Sequence, residues 1–207
     1  MTDTLYAAKG GGSMIIEAAY ALAKRPLKII DLEWGDTGWA SKSLKDLNPL
    51  GQVPTMVTES GEVMTESAAI ILRLNDLEPM ARLVPAPGHP TRNAFLRWLV
   101  FLASAVYPTF TYGDVTDRWV GNDPGAQKAL RESTDAHRKQ LYSFLETKAG
   151  SPWFLGDEFS ALDTYLCAME KWRPGPDWFK AECPKISAIA KATGALPPVA
   201  TVLARQR

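Results

Sequence analysis

The hydrophobic and polar positions in the first half of the chain follow two alternating periodicities. Short apolar runs typical of strands occur at residues 4–8, 27–30, 53–57 and 63–64. Between them lie segments in which apolar residues recur every three or four positions, as on one face of a helix. These segments are predicted to be helices at residues 14–24, 41–47 and 68–77, with Ser13 and Ser67 as N-caps of the first and last.

This order of elements, βαβαββα, predicts a mixed sheet. A helix between the first two strands makes that pair parallel, whereas the polar segment at residues 59–62 indicates an antiparallel hairpin between the last two. The first half is therefore expected to form an α/β domain with helices packed against the sheet.

The second half has helical periodicity throughout. A strongly apolar helix is predicted at residues 91–106, and a long helix is predicted to begin at Pro124, with His137 on its apolar face as a core histidine. Ser160 and Asp163 have the spacing of a capping box at the start of another helix. Two further helices, each introduced by proline, complete an expected all-helical bundle.

Three prolines and a glycine lie close together at residues 83–90. Proline removes a backbone donor and forces the preceding residue towards extended geometry, so this segment is expected to be a stiff connection. We therefore predict an α/β domain over residues 1–80, a linker over 81–90 and an all-helical domain over 91–207.

Composition and charge exclude several classes of protein. The 207 residues include 23 basic and 23 acidic side chains, so no overall positive field attracts nucleic acid or an anionic membrane. The densest apolar run, at residues 98–103, is far shorter than the ~20 residues of a membrane-crossing helix, and the N-terminal residues lack the pattern of a secretory signal. Two cysteines and two histidines predict neither a disulfide framework nor a metal site, and a cytoplasmic location is expected.

Residues 53–54 and 66–67 form the most informative constellation in the sequence. A cis bond between Val53 and Pro54 would turn the N–H and C=O of Val53 outward, where they could pair with an extended peptide. Glu66 and Ser67 come at the start of a predicted helix, where free N–H groups favour a carboxylate. The carboxylate of Glu66 could accept an ammonium group. Together they predict a site for a small peptide that carries both charges at one end.

Three motifs extend this interpretation over nearly the whole chain. They are NPLGQVPTM at residues 48–56, TESAAIILRL at 65–74 and LGDEFSALDTYL at 155–166. With them, the chain resembles the cytosolic glutathione transferase superfamily, whose members join a thioredoxin-like domain to an all-helical domain. The segment WLVFLASAVYP at 98–108 is similar to that of bacterial beta-type members.

The resemblance implies that glutathione binds as a cosubstrate. Its expected ligands are Gln52, the Val53 main chain beside cis-Pro54, and Glu66 with Ser67 at the γ-glutamyl end. It also implies a homodimer and a transferase that joins the glutathione thiolate to a small hydrophobic electrophile.

The sequence offers several candidates for the group that stabilises the thiolate. At the first strand–helix junction, beta-type members have a cysteine followed by a serine, and these positions correspond to Gly12 and Ser13 here. Ser13 is the predicted catalytic hydroxyl, with Tyr6, Tyr107 or a backbone N–H as alternatives. Tyr107 aligns with a histidine that contacts the thiol region in beta-type relatives, and is expected to contact bound glutathione.

An apolar pocket for the electrophile is expected beside the thiol. Its predicted walls are aromatic: Trp34, Trp39, Phe110, Tyr112 and Trp119. Because the beta-type cysteine is missing, a non-catalytic glutathione-binding or protein-interaction module of the same fold remains the alternative function. The same absence argues against a thiol–disulfide oxidoreductase.

Overall fold

The structure is a computed structural model that describes residues 2–33 and 42–206. In the first half, the described residues form four strands and three helices. In chain order these are β1 (Thr4–Ala7), α1 (Ser13–Ala23), β2 (Lys28–Asp31), α2 (Lys42–Leu47), β3 (Thr55–Val57), β4 (Val63–Met64) and α3 (Ser67–Leu77).

The four strands form one mixed sheet in the order β2-β1-β3-β4. β1 and β2 are parallel, whereas β3 is antiparallel to both β1 and β4. The predicted βαβαββα order and both strand directions are confirmed. Leu5 and Ala7 of β1 are fully buried, and Tyr6, between them, packs on the opposite face against Leu32 and Leu44. This alternation is what a strand buried on two faces requires.

From residue 79 to 206 the described chain is helical apart from its connections. After a short 3₁₀ turn at Pro79–Ala81, the helices are α4 (Arg92–Phe101), α5 (Tyr107–Asp114), α6 (Asp117–Val120), α7 (Pro124–Glu146), α8 (Ala161–Met169), α9 (Pro176–Glu182), α10 (Pro184–Gly194) and α11 (Pro197–Arg205). A π-helical turn, Leu102–Val106, joins α4 to α5. The α/β plus all-α architecture is therefore as predicted.

One apolar core runs through both halves, from Leu5 in the sheet to Ile189 in α10. The segment predicted to be a linker is packed rather than free. Leu83 and Val84 are buried in this core, and the N–H of Ala161 donates to the carbonyl of Leu83 at 2.7 Å. The domain limits at residues 80 and 90 remain an interpretation of the sequence.

Two predicted helix caps are wrong. Ser13 and Ser67 are the first helical residues of α1 and α3, while Gly12 and Glu66 take the cap positions and make no side-chain cap bond. The serine hydroxyls are engaged elsewhere, as described below. The capping box on α8 is confirmed, with Ser160 as N-cap and Asp163 reaching back to its N–H.

The prediction of a core histidine on α7 is also wrong. His137 is exposed, and the next residue, Arg138, is fully buried in its place. The Arg138 guanidinium donates to the side chain and carbonyl of Thr109, both at 2.8 Å, and to Asp135 at 2.7 Å. In a hydrophobic pattern, arginine counts as a polar and exposed residue, although Arg138 is buried here with its donors satisfied. The pattern therefore predicted burial at position 137, one residue too early.

The helical segment Arg92–Asp114, formed by α4, the π turn and α5, is 23 residues long and apolar enough to cross a membrane by length and composition. The apolar run at residues 98–103 lies within this longer helical segment. In the described part of the chain this segment packs against α7 and α8.

Candidate functional site

A cleft of about 820 Å³ opens between the edge of the sheet and the helical half. Three loops of the first half line one side of it, and α5 with the segment after α8 lines the other. The predicted ligand residues Gln52, Val53, Pro54, Glu66, Ser67 and Tyr107 all line this cleft, whereas Ser13 is not among its lining residues.

The loop before β3 presents Val53 to the cleft. The Val53–Pro54 bond is cis, as predicted, and within the described residues neither the N–H nor the C=O of Val53 has a hydrogen-bond partner. The buried Asn48 fixes this loop, since its amide donates to the Gln52 carbonyl at 3.2 Å and to the Thr55 hydroxyl at 3.1 Å. An unpaired main-chain edge next to an open cleft can accept an extended peptide.

Glu66 and Ser67 lie at the start of α3, on the same side of the cleft. Glu66 is exposed and adopts a positive φ of 61°, which is uncommon for a residue with a side chain. The buried Ser67 hydroxyl accepts a hydrogen bond of 2.6 Å from the phenol of Tyr165 in α8. Because Tyr165 supplies that proton, the Ser67 proton is available to a ligand.

The glycine loop, residues 10–12, closes the floor of the cleft and is held from the helical half. The indole N–H of Trp172 donates to the Gly10 carbonyl at 2.7 Å, and the Gly10 N–H donates to the side chain of Gln206 at 2.9 Å. Gln206 in turn contacts the buried carboxylate of Glu17 at 3.2 Å. The position of the glycine loop therefore depends on Trp172 and Gln206, which are far from it in the sequence.

Ser13 points away from the cleft. Its side chain is fully buried, its oxygen accepts from the Ala8 N–H at 3.1 Å, and its proton is donated to the Ala8 carbonyl at 3.1 Å. A hydroxyl has one proton to donate. In this arrangement the Ser13 hydroxyl uses its proton to join the start of α1 to Ala8, directly after β1.

Tyr107, the first residue of α5, extends across the cleft to the start of α1. A Cβ built on Gly12 would lie 1.6 Å from the Tyr107 hydroxyl oxygen, so the phenol occupies the space of a side chain at position 12. The ring is held by edge-on contacts with Trp172 and Phe110, at centroid distances of 5.7 and 6.4 Å. Burial and, to a lesser extent, the charge of Glu66 raise the pKa of Tyr107 well above the ordinary value of tyrosine. The phenol is therefore a neutral donor at physiological pH.

The helical side of the cleft is aromatic. Phe110, Tyr112 and Trp119 line it, as predicted, and Tyr112 and Trp119 pack edge to face with ring centroids 4.7 Å apart. Trp34 and Trp39, predicted to belong to the same wall, lie outside the described residues. Trp172 completes the wall and was not predicted.

Charged side chains border the aromatic wall. Arg173 pairs with Asp114, and both line the cleft. Burial raises the pKa of Asp114, while the charges of Arg138 and Arg131 oppose that rise. Ion pairs of Asp114 with Arg131 and Arg173 tie α5 to α7 and to the segment after α8. They hold the aromatic wall in a fixed position.

Other candidates lie away from the cleft. Tyr6, the alternative thiol donor, packs against the apolar cluster on the far face of the sheet. In the part of the chain that the structure describes, no three His, Cys, Asp or Glu side chains are grouped to hold a metal ion. Cys167 and Cys183 are both buried and unpaired with each other.

Sequence reasoning missed Asn48, Tyr165, Trp172 and Gln206. Asn48 belongs to the NPLGQVPTM motif, so a close inspection of that motif would have found it. Tyr165 lies in the motif that contains the capping box, but its spacing gives no sign that it reaches α3. Nothing in the sequence pattern places Trp172 or Gln206 near the glycine loop, because both contacts span more than 160 residues.

Comparison with known proteins agrees with this geometry. A family model described as Glutathione S-transferase, N-terminal domain, matches residues 15–77. The uncharacterized GST-like protein YncG of Escherichia coli is 41% identical over 203 residues, which covers 97% of each protein. The chain belongs to the cytosolic glutathione transferase superfamily. Among other relatives of this superfamily member, the glutathione S-transferase GstA of Escherichia coli is 28% identical over 141 residues, or 68% of this chain and 64% of that protein.

Solved structures of glutathione transferases share the fold over the whole length of the chain. A glutathione transferase homolog from Sulfitobacter, crystallised with bound glutathione, superposes with a TM-score of 0.84 at 23% identity and covers 99% of this chain and 98% of its own. The bacterial beta class enzyme of Sphingomonas chungbukensis gives a TM-score of 0.77 at 23% identity, with 98% of each chain covered. These likenesses confirm the thioredoxin-like domain followed by the helical domain.

Proposed function

We propose that this protein is a glutathione transferase, which joins the sulfur of glutathione to a small hydrophobic electrophile. The observation that carries the proposal is one cleft that combines the unpaired main chain of Val53, the start of α3 at Glu66 and Ser67, and an aromatic wall. A peptide with a charged end fits the polar side, and an apolar molecule fits the aromatic side. The glutathione bound to the Sulfitobacter homolog supports the choice of peptide.

The γ-glutamyl end of glutathione has the charges that the polar side requires. Its ammonium group would pair with the exposed carboxylate of Glu66, and its carboxylate would accept from the Ser67 hydroxyl and the free N–H groups at the start of α3. The donation from Tyr165 to Ser67 supports this role, because it orients the Ser67 hydroxyl and leaves its proton for the ligand. The amide of Gln52 borders the same region.

The cysteinyl unit would then lie along Val53. Its N–H and C=O can pair with the free C=O and N–H of Val53, as between two strands. Pairing at this point directs the thiol towards the start of α1 and the glycine loop. Residues beyond the thiol would extend towards the aromatic wall formed by Phe110, Tyr112 and Trp119.

The reaction requires the thiolate form of glutathione. A free thiol has a pKa of about 8.5, and lowering it by about 2 units requires about 2.7 kcal/mol of preferential stabilisation of the anion. The proton passes to solvent, and the thiolate lone pair forms a carbon–sulfur bond with the electrophile. In a substitution, the carbon–halogen bond breaks and its electron pair leaves with the halide. Positioning and anion stabilisation supply the catalysis, without a bond to the protein.

The proposal is tested by calorimetry and turnover on the whole protein. We expect saturable binding of glutathione, much weaker binding of cysteinylglycine, which lacks the γ-glutamyl charges, and release of one halide for each glutathione consumed with an aromatic halide. Binding without turnover of any tested electrophile would favour the non-catalytic module. Absence of heat with millimolar glutathione would overturn the proposal.

Substitution of Glu66 tests the γ-glutamyl site directly. Glu66→Gln removes the charge that would pair with the ammonium group, and a charge-assisted hydrogen bond is worth about 1.5–3 kcal/mol, so the Kd for glutathione should rise about tenfold or more. Glu62→Gln is the matched control, because Glu62 is exposed four residues earlier and does not line the cleft. Equal affinities of the two variants would contradict the assignment.

A further inference from the structure

Gly12 has no conformational reason to be glycine. Its φ of −63° and ψ of −17° lie in the ordinary right-handed helical region, which every residue with a side chain adopts. What excludes a side chain is space, because an ideal Cβ would lie 1.6 Å from the Tyr107 hydroxyl oxygen and 2.9 Å from the ring carbon that carries it. Gly12 and Tyr107 therefore depend on each other.

The Tyr107 hydroxyl is placed to act on a ligand. It lies in the cleft at the start of α1, where the N–H groups of Gly12 and Ser13 have no hydrogen-bond partner within the described residues. The hydroxyl itself makes no hydrogen bond to any described residue. The π turn Leu102–Val106 comes directly before it, and such turns shift the side chains that follow around the helix.

The other candidate hydroxyls are committed elsewhere. The proton of Ser13 is donated to the Ala8 carbonyl, and Tyr6 packs on the far face of the sheet. Tyr165 donates to Ser67. Of the three hydroxyl donors predicted from the sequence, Ser13, Tyr6 and Tyr107, only Tyr107 lines the cleft.

We propose that Tyr107 is the catalytic residue that stabilises the glutathione thiolate, and that Gly12 is glycine because the Tyr107 hydroxyl fills its side-chain space. The helical half of the molecule thus supplies the donor that the sheet half lacks. Tyr107 keeps its proton and donates a hydrogen bond to sulfur, while the thiol proton passes to solvent. This inference rests on the proposed function.

The pKa of the bound thiol is the decisive measurement. Tyr107→Phe removes the hydroxyl with little change of shape, and the pKa of bound glutathione, followed by the ultraviolet absorbance of its thiolate, should rise by about one unit or more towards that of a free thiol. Turnover at a pH about one to two units below the pKa of the bound thiol should fall about tenfold, because in that range a rise of one pKa unit lowers the thiolate fraction tenfold. The Kd for glutathione should change little, since the γ-glutamyl contacts remain.

Tyr142→Phe is the matched control. Tyr142 is buried in the helical core, its hydroxyl has no hydrogen-bond partner in the described chain, and it does not line the cleft. The same chemical change there should leave the thiol pKa and turnover within twofold of those of the unmodified protein.

A rescue experiment tests the exchange between positions 12 and 107. Gly12→Ser alone should lose activity, because the new side chain displaces the phenol. Tyr107→Leu alone should lose activity because the hydroxyl is gone. The double variant should regain turnover relative to both single variants, since the serine places a hydroxyl in the space that Tyr107 leaves. The backbone conformation at position 12 is one that serine adopts without strain.

The outcomes separate this inference from the proposed function. If the unmodified protein binds and turns over glutathione but Tyr107→Phe keeps its thiol pKa and rate, the inference is overturned and the donor is a backbone N–H or a rearranged Ser13. A tenfold loss in Ser13→Ala with none in Tyr107→Phe would identify Ser13 instead. If the unmodified protein does not bind glutathione, the proposed function fails first.

Discussion

The carboxylate of Asp3, just before β1, is fully buried and accepts four hydrogen bonds. Two come from the Arg73 guanidinium at 2.9 and 3.1 Å, one from the phenol of Tyr20 at 2.7 Å and one from the Glu59 N–H at 2.9 Å. Burial alone would raise the pKa of Asp3, but these bonds outweigh it and the pKa lies below its ordinary value. One residue thereby joins the sheet, α1 and α3.

Asp3→Asn should destabilise the protein by about 3 kcal/mol at neutral pH, because it leaves the Arg73 charge partly unpaired. The folded-state pKa of Asp3 is lower than its unfolded value, so the carboxylate stabilises the fold fully above the ordinary value of 3.8, and this contribution is lost as the pH falls through the folded value. Urea unfolding at several pH values should therefore show a difference between the two proteins that shrinks in acid.

Asp76→Asn is the control for this experiment, since Asp76 is exposed on α3 near Arg73. Surface substitutions of this kind change stability by about 0.5 kcal/mol or less. A similar effect of the two substitutions at neutral pH would contradict the role assigned to Asp3.

At the scale of the element, the start of α8 shows how a local motif acquires a tertiary role. The Asp163 carboxylate accepts from the Ser160 N–H at 2.7 Å, which closes the capping box, and from the Phe154 N–H at 2.8 Å, which belongs to the preceding loop. The motif therefore fixes both the helix start and the chain that leads into it. α8 also carries Tyr165, so its position determines the contact with Ser67.

Asp163→Ala should cost about 2–4 kcal/mol, since it removes a cap and leaves two buried N–H groups without acceptors. Asp123→Ala provides the comparison, because Asp123 caps α7 through the Gly125 and Ala126 N–H groups at an exposed site. Loss of that cap should cost only about 1 kcal/mol. Denaturant unfolding of both variants measures the difference, and equal losses would show that the buried contacts of Asp163 are unimportant.

The hydrophobic patterns predicted the helices and strands better than they predicted the roles of individual polar residues. Strands, helices and the order βαβαββα follow from periodicity, because a buried face must repeat every 2 or 3.6 residues. The cap at Ser67 and the core position of His137 were wrong for a common reason, whereas the Ser13 hydroxyl bonds to the nearby Ala8 instead of capping the helix. A polar side chain can be satisfied by distant partners, such as Tyr165 for Ser67 or Thr109 for Arg138, and local sequence carries no sign of them.

At the scale of the whole molecule, the cleft belongs to neither half alone. The sheet half contributes the peptide-binding edge at Val53 and the charged start of α3. The helical half contributes Tyr107 and the aromatic wall, and it holds the glycine loop through Trp172 and Gln206. The candidate site therefore exists only when both halves are folded and packed together.

Charge is divided between the halves in opposite senses. Residues 1–80 carry 7 basic and 11 acidic side chains, a net charge of −4, and residues 81–207 carry a net charge of +4. Opposite charges favour an arrangement in which the acidic half of one copy faces the basic half of another. A homodimer built in this way remains a prediction from the family resemblance and this arithmetic.

Analytical ultracentrifugation tests that prediction. We expect a mass of two 22.7 kDa chains at low salt, with an association that weakens as added salt screens the charges. A monomer at both low and moderate salt would rule the dimer out. A dimer whose stability does not depend on salt would show that apolar contacts, rather than the two net charges, hold it together.

The sequence by itself determined the order of elements, the two-part architecture, the cis Val53–Pro54 bond expected from its motif, and the loops that face the cleft. These features depend on residues close together along the chain. Only the tertiary structure decided which hydroxyl faces the cleft. The Ser13 proton is taken by Ala8, and the space beside Gly12 is filled by Tyr107, which is 95 residues away in sequence. Side chains compete for donors and for volume in three dimensions, and that competition is settled by packing rather than by spacing.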